Sequence, residues 1–124
     1  MRDSQLQTGA KGIWSGTVST GATWSESFEL DVNGAQITGA DTSTWKIVIK
    51  KYDAGTPSLT LTSGVEITVA QNTVNTIFTL NVPPSTLCNL SGDYRADLAQ
   101  QDVSGNVTHW LSGTLTFIQE NLGF

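Results

Sequence analysis

The chain of 124 residues has six basic and eleven acidic side chains, and only 14% of its residues are charged. The resulting net charge of −5 has the wrong sign for binding phosphate backbones, which argues against a nucleic-acid-binding protein. The length fits one domain, and a 38% apolar content with four Trp, two Tyr and four Phe is sufficient for a core, which argues against intrinsic disorder.

The ends of the chain and its single cysteine indicate how it is organised. Residues 1–11 are polar and no long apolar run occurs anywhere, so we expect neither a signal peptide nor a membrane span. Cys88 has no partner for an intrachain disulfide, which suits a protein made in a reducing cytoplasm. We divide the chain into an N-terminal arm (residues 1–12), a β-sandwich (13–118) and a C-terminal tail (119–124).

The first clear strand pattern begins at Trp24. Apolar and polar residues alternate from Trp24 to Val32, with Glu26 as the exception, and such alternation is typical of a half-buried strand. Asn33 and Gly34 follow, and this pair favours a tight turn in which the chain reverses direction. We therefore predict a strand that ends in a hairpin turn.

Further strands follow at regular intervals between turn residues. Alternation continues over residues 45–49, 59–61, 65–69 and 74–82. The first of these segments has apolar residues on one face and Lys46, Val48 and Lys50 on the other, which predicts a central strand. The recurrence of short strands is typical of an all-β sandwich or barrel.

The C-terminal third is predicted to contain a helical turn and a hairpin. Pro83 begins a segment in which Leu87 and Leu90 lie three apart, which predicts one short helical turn over residues 83–90. Residues 94–98 alternate, a loop surrounds residues 104–106, and a long strand covers 107–118. Within that strand Trp110 points outward unless Gly113 marks a bulge that reverses the alternation.

Reactive residues are few, so no catalytic, metal or cofactor site is expected. His109 is the only histidine and is interpreted as a surface or rim residue, and Cys88 is interpreted as a small buried hydrophobe. Asp93 and Asp97 would lie about 13 Å apart on one strand, which is too far for a glycosidase pair. We therefore predict that the protein is not an enzyme.

Four tryptophans in a short chain suggest contact with sugars or protein partners, because Trp offers a large contact area at low entropic cost. Trp45 is assigned to the core. The other three tryptophans are candidates for partial exposure, with core packing as the alternative, and two apolar tail residues are candidates for ordering on a neighbour, with a frayed tail as the alternative. The interface candidates are Trp14, Trp24, Trp110, Leu122 and Phe124.

The order and spacing of these segments are similar to those of one known family. The stretches that carry the similarity are SESFEL (25–30), ITGAD (37–41), WKIVIKK (45–51), GVEIT (64–68), FTL (78–80), SGDYRADL (91–98), GNVT (105–108) and LSGTLTF (111–117). Together they resemble the immunoglobulin-like domain of tailed-bacteriophage virion proteins, best known at the N-terminus of the baseplate upper protein. Gly92, Asp93 and Tyr94 also fit the tyrosine corner of immunoglobulin-like sandwiches, in which a Tyr hydroxyl contacts upstream backbone.

The resemblance implies an all-β, immunoglobulin-like antiparallel sandwich of about 7 to 9 strands with at most one short helical turn. It further implies a structural component of the virion, made in the host cytoplasm and present in multiple copies in a symmetric assembly. The expected role is a tail or baseplate adaptor that docks to other virion proteins. Decoration of the capsid on the phage head is the alternative placement.

A carbohydrate-binding module is the rival class of function. In that case exposed Trp14, Trp24 or Trp110 would line a flat stacking face. The low charged fraction, compared with about 25% in ordinary soluble domains, suits docking because neutral polar surface costs less to desolvate than charged surface. Many copies would add modest single contacts by avidity. Neither nucleic acid nor a membrane is an expected partner.

Overall fold

The elements of the fold follow the alternating patterns of the sequence. The computed structural model of the protein describes residues 12–32, 34–52 and 55–119. Its strands are β1 (Gly12–Ser19), β2 (Trp24–Leu30), β3 (Thr44–Lys50), β4 (Leu59–Thr62), β5 (Ile67–Gln71), β6 (Thr76–Val82), β7 (Gly92–Gln101) and β8 (Val107–Ile118). The described helical segments are α1 (Pro84–Leu87) and a 3-10 turn (Ala40–Thr42).

The strands are arranged in two sheets. One has the order β1-β8-β7-β3-β4, and the other has the order β2-β6-β5. The prediction of an all-β sandwich is confirmed, and so is the central position of β3, which lies between β7 and β4. The predicted helical turn corresponds to α1. The predicted arm and tail lie outside the described residues, apart from Gly12 in β1 and Gln119.

Two features of the sandwich differ from the prediction. The sheets were expected to be antiparallel throughout, but β1 pairs with β8 in parallel, from Gly12 opposite Leu111 to Ser19 opposite Ile118. This pairing is possible because β1 and β8 are far apart in sequence, so no short hairpin connection has to join them. The 3-10 turn is a second short helical segment, and it places the side chain of Ala40 in the core.

The turn at Gly34 is present, but it does not lead into a hairpin with the next strand. Val32 and Ala35 exchange both backbone hydrogen bonds, at 2.8 and 3.1 Å, and Gly34 has a φ of 82°. Among the described residues, however, β2 pairs with β6, and the chain crosses to the other sheet before β3 begins. The side chain of Ile37, in the segment that connects the two sheets, is buried in the core.

Aromatic rings fill the space between the sheets. Phe78 stacks on Phe28 at 5.0 Å between centroids and contacts Trp45 edge-on at 4.6 Å. Trp45 is fully buried, as predicted. Trp24, which was a candidate for exposure, is only 6% exposed and packs edge-on against Phe117 at 6.1 Å. The interpretation of Trp24 as an interface residue is therefore wrong, because its position on the inward face of β2 places it in the core.

The strand order matches that of an immunoglobulin sandwich. In that fold one sheet contains strands B, E and D, and the other contains G, F and C with an added C′ strand in the variable type. The orders β2-β6-β5 and β8-β7-β3-β4 reproduce these two arrangements. Trp45 occupies the buried Trp position of strand C, and the Ser91 N–H donates to Tyr94 Oη at 3.3 Å. This bond joins the Tyr hydroxyl to upstream backbone, as the tyrosine corner requires.

In the part of the chain that the structure describes, no helix has both the length and the apolar character needed to cross a membrane.

Cys88, predicted to be a small buried hydrophobe, is exposed at the end of α1, and its thiol donates to the Ser85 carbonyl at 3.4 Å. That prediction is wrong because Leu87 and Leu90, rather than Cys88, turn inward from this segment.

Candidate functional site

A bulge in β8 decides where Trp110 lies. Leu98 of β7 pairs with Leu111, but the next residue, Ala99, pairs with His109, so Trp110 is an extra residue in β8. An inserted residue reverses the alternation of the strand. The bulge lies at Trp110 and not at Gly113, which pairs regularly with Ala96. The expectation that Trp110 points outward is therefore wrong, because its indole turns inward and packs partly buried against the core.

The indole of Trp110 is held by a chain of hydrogen bonds. Its Nε1–H donates to Gln100 Oε1 at 2.9 Å, and Gln100 Nε2 donates to Ser43 Oγ at 2.8 Å. Ser43 Oγ donates in turn to the Gly39 carbonyl at 2.7 Å. Gln100 is only 6% exposed, and the ring of Trp45 lies 6.3 Å from that of Trp110. The core therefore supports the indole ring, and the buried amide of Gln100 holds its Nε1–H.

Trp110 lines a cleft of about 430 Å³ at one end of the sandwich. The cleft lies between the segment that follows β2 and the start of the β7–β8 hairpin loop. The described part of its wall combines apolar side chains with neutral amides and hydroxyls and one carboxylate. The lining residues are Val32, Ala35, Gln36, Ile37, Thr38, Gln100, Asp102, Thr108 and Trp110.

The first wall of the cleft is anchored by a buried hydroxyl. The Ile37 N–H donates to Thr76 Oγ1 at 3.1 Å, and Gln71 Nε2 donates to the Ile37 carbonyl at 2.5 Å. Thr76 has no solvent exposure, so its oxygen satisfies a backbone donor that water cannot reach. This arrangement attaches the segment after β2 to the β5–β6 hairpin.

Replacing Thr76 with valine tests this anchor, because valine keeps the shape of the side chain and removes its oxygen. The buried Ile37 N–H would then have no acceptor, and the free energy of unfolding should fall by about 1–3 kcal/mol. Thr79→Val is the matched control, since it makes the same change at an exposed site on the same strand. Urea unfolding measures both. Equal losses in the two variants would contradict the proposed role of Thr76.

The opposite wall is shaped by Asp102. Its Oδ1 accepts hydrogen bonds from the backbone N–H groups of Ser104 and Asn106, both at 2.9 Å. Gly105 completes the turn with a φ of 90°, a left-handed conformation that glycine adopts without strain. The carboxylate therefore maintains the loop between β7 and β8, and Thr108, near the start of β8, lines the cleft beside it.

A second polar cluster lies on the outer face of the β7–β8 hairpin. His109 Nε2 is 3.1 Å from Asp97 Oδ1 and 3.1 Å from Ser112 Oγ, and the Ser112 hydroxyl donates to Asp97 Oδ1 at 2.8 Å. Arg95 Nε lies 3.3 Å from Asp97 Oδ2. This cluster has no local signal in the sequence, because the pairing of Asp97 with Ser112 depends on the register between two strands.

The cluster contains the residue types of a hydrolytic triad but not its geometry. A triad needs the serine to bond one ring nitrogen and the carboxylate to bond the other. Here Asp97 and Ser112 both contact Nε2 of His109, and the serine proton is directed to the carboxylate. Because the Ser112 hydroxyl donates its hydrogen to Asp97 Oδ1, that hydrogen is not directed at Nε2 of His109, and the ring nitrogen is not placed to accept a proton from Ser112.

No protein-family model and no curated protein matches the chain. Within the described ranges, no group of three His, Cys, Asp or Glu side chains could hold a metal ion.

The five interface candidates from the sequence do not come together in one site. Trp110 lies in the cleft, and Trp24 lies in the core. The backbone of Trp14 belongs to β1, but its side chain lies outside what the structure describes. Leu122 and Phe124 also lie outside the described residues. Sequence reasoning missed Gln36, Thr38 and Thr108, which line the cleft with Trp110, because the chain brings them there from separate segments.

Proposed function

We propose that the protein is a structural component of a tailed-bacteriophage virion, an adaptor at the tail or baseplate that docks to other virion proteins. The observation that carries this proposal is the strand order of an immunoglobulin sandwich, combined with a tyrosine corner at the stretch that resembles the phage domains. Fold alone does not assign a function, so the resemblance supplies the choice among the many roles of such sandwiches.

The composition of the exposed faces supports docking. The outer face of the β2–β6 pair includes the exposed side chains of Ser25, Ser27, Thr79 and Asn81. Ser27 and Thr79 already share a hydrogen bond at 3.2 Å, so a partner need not strip water from two isolated hydroxyls. Neutral polar groups are less costly to desolvate than ions, and repeated copies in a particle multiply weak contacts.

Purified particles test the proposal. We expect the protein to co-purify with particles produced by the genome that encodes it, and immunogold electron microscopy should place the label at the tail. Label on the capsid surface would favour the alternative role as a head decoration protein. Absence of the protein from particles, while it accumulates free in the same lysate, would contradict a structural role in the virion.

A deletion variant tests the contribution of the predicted N-terminal arm. Deleting residues 2–11 leaves β1 intact from Gly12 onward. If the arm anchors the adaptor, incorporation into particles should fall by about tenfold or more, which corresponds to the loss of roughly 1.4 kcal/mol or more of docking free energy. The unfolding midpoint should remain close to that of the full chain. Unchanged incorporation would show that the arm is not an anchor.

A further inference from the structure

We propose that the cleft around Trp110 binds a neutral saccharide, with one sugar ring stacked on the exposed part of the indole. This site does not depend on the virion proposal. Its volume of about 430 Å³ lies within the range of about 300–1,000 Å³ that is typical of small-ligand sites. The apolar and polar surfaces of the cleft match the two chemical surfaces of a sugar ring, which are a face of C–H groups and a rim of hydroxyls.

The aromatic surface is prepared for stacking before any ligand arrives. Trp110 is partly buried: it packs against the core and also lines the cleft. The bond from Nε1 to the buried Gln100 prevents the indole from rotating. A fixed ring loses little conformational entropy on binding, and its electron-rich face attracts the C–H groups of a sugar.

The rim of the cleft offers groups that can both donate and accept hydrogen bonds. Gln36, Thr38 and Thr108 are exposed, and none of the three makes a side-chain hydrogen bond to another described residue. An amide and two hydroxyls suit the hydroxyl groups of a sugar, each of which also donates and accepts. The side chains are therefore available to a ligand without loss of existing bonds.

The charges around the cleft favour a neutral ligand. No Lys, Arg or His is among the described residues that line it, so an anionic sugar or a phosphate would find no cation. Among the described lining residues Asp102 is the one with a charged group, and its Oδ1 already accepts hydrogen bonds from two backbone N–H groups. A fully apolar ligand is disfavoured because it would desolvate the hydroxyls and amide without replacing their hydrogen bonds.

A glycan array probed with the intact protein provides the first test. We expect signals from neutral hexose or N-acetylhexosamine oligosaccharides and none from their uronic-acid or sialylated counterparts. The strongest neutral oligosaccharide is then titrated by calorimetry. Absence of saturable binding to any neutral oligosaccharide at millimolar concentration would overturn the proposal, and so would a preference for anionic glycans.

Three variants test whether the saccharide binds in the cleft around Trp110. Trp110→Phe should weaken the affinity by about tenfold, because a smaller ring without the Nε1–H loses stacking area and its fixed orientation. Thr108→Val should weaken it by about fivefold through one lost hydrogen bond. Thr68→Val, at an exposed strand position outside the cleft, should leave the affinity unchanged.

The Thr108→Val result remains informative even if Trp110→Phe fails to fold, because Thr108 is exposed and does not support the core. Equal affinity in Thr108→Val and the parent protein would place the sugar elsewhere and contradict the proposed site. Loss of particle incorporation in Thr108→Val, in the absence of any sugar binding, would assign the cleft to a protein partner and would also overturn the proposal. The virion proposal would survive that last result.

Discussion

Replacing Phe78 with alanine is expected to lower the free energy of unfolding by about 3–5 kcal/mol. Phe78 is fully buried on β6 and touches the aromatic rings of both sheets, stacking on Phe28 and meeting Trp45 edge-on. Alanine removes this contact area and leaves a cavity between two large rings. Those rings cannot close the gap without leaving their own favourable positions, so little of the loss is recovered.

Urea unfolding followed by tryptophan fluorescence measures the effect. Phe78→Leu is the control, because it keeps most of the apolar volume, and its cost should be about 1–2 kcal/mol. A domain of this size has a total stability of about 5–15 kcal/mol, so Phe78→Ala removes a large part of it. A loss below about 1 kcal/mol for Phe78→Ala would contradict the aromatic core described above.

Much of the strand content could be predicted because burial alternates along each strand. In β6 the side chains of Thr76, Phe78, Leu80 and Val82 are buried, and this repeat of two is visible in the sequence. The long final strand was predicted over residues 107–118, and β8 has those bounds. Such patterns are local, so they are visible in the sequence of a single strand, whichever strands pair with it.

The sheet to which each strand belongs could not be predicted in the same way. Ser63 and Gly64 separate β4 from β5 with ordinary turn chemistry, yet the two strands lie in different sheets. The turn at Gly34 likewise precedes a crossing and not a hairpin. A tight turn fixes the local direction of the chain, whereas the choice of sheet depends on which apolar face is covered by distant residues.

The cleft depends on contacts that have no local signature. The bulge at Trp110 is defined only by pairing with Leu98 and Ala99, and Ile37 reaches the site through its bond to Thr76. From the sequence, Trp110 points outward unless a bulge at Gly113 reverses the alternation; the alternation is reversed, but the bulge lies at Trp110. Gly113 was the natural choice from composition, because glycine in a strand often marks a bulge.

The register of β7 at the bulge leads to a second prediction with a large effect. Leu98 and Ala99 are neighbours on β7, but Leu98 is fully buried whereas Ala99 is half-buried on the outer face, paired with Lys46 and His109. Leu98→Asp is expected to unfold the protein at pH 7, since it adds the cost of an unpaired buried carboxylate to the lost apolar burial, together more than about 5 kcal/mol. Ala99→Asp should change stability by less than about 1 kcal/mol.

Circular dichroism and the dispersion of amide NMR signals show which of the two variants is folded. Both variants add one aspartate and therefore have the same net charge. Burial would raise the pKa of the carboxyl introduced by Leu98→Asp, so the folded state would bind more protons than the unfolded state. The penalty relative to the parent protein is therefore largest above the folded-state pKa of this carboxyl, and it should shrink as the pH falls through that pKa toward the pKa of the unfolded chain. Tolerance of Leu98→Asp together with unfolding of Ala99→Asp would mean that β7 is shifted by one residue, and such a shift would also remove Trp110 from the cleft.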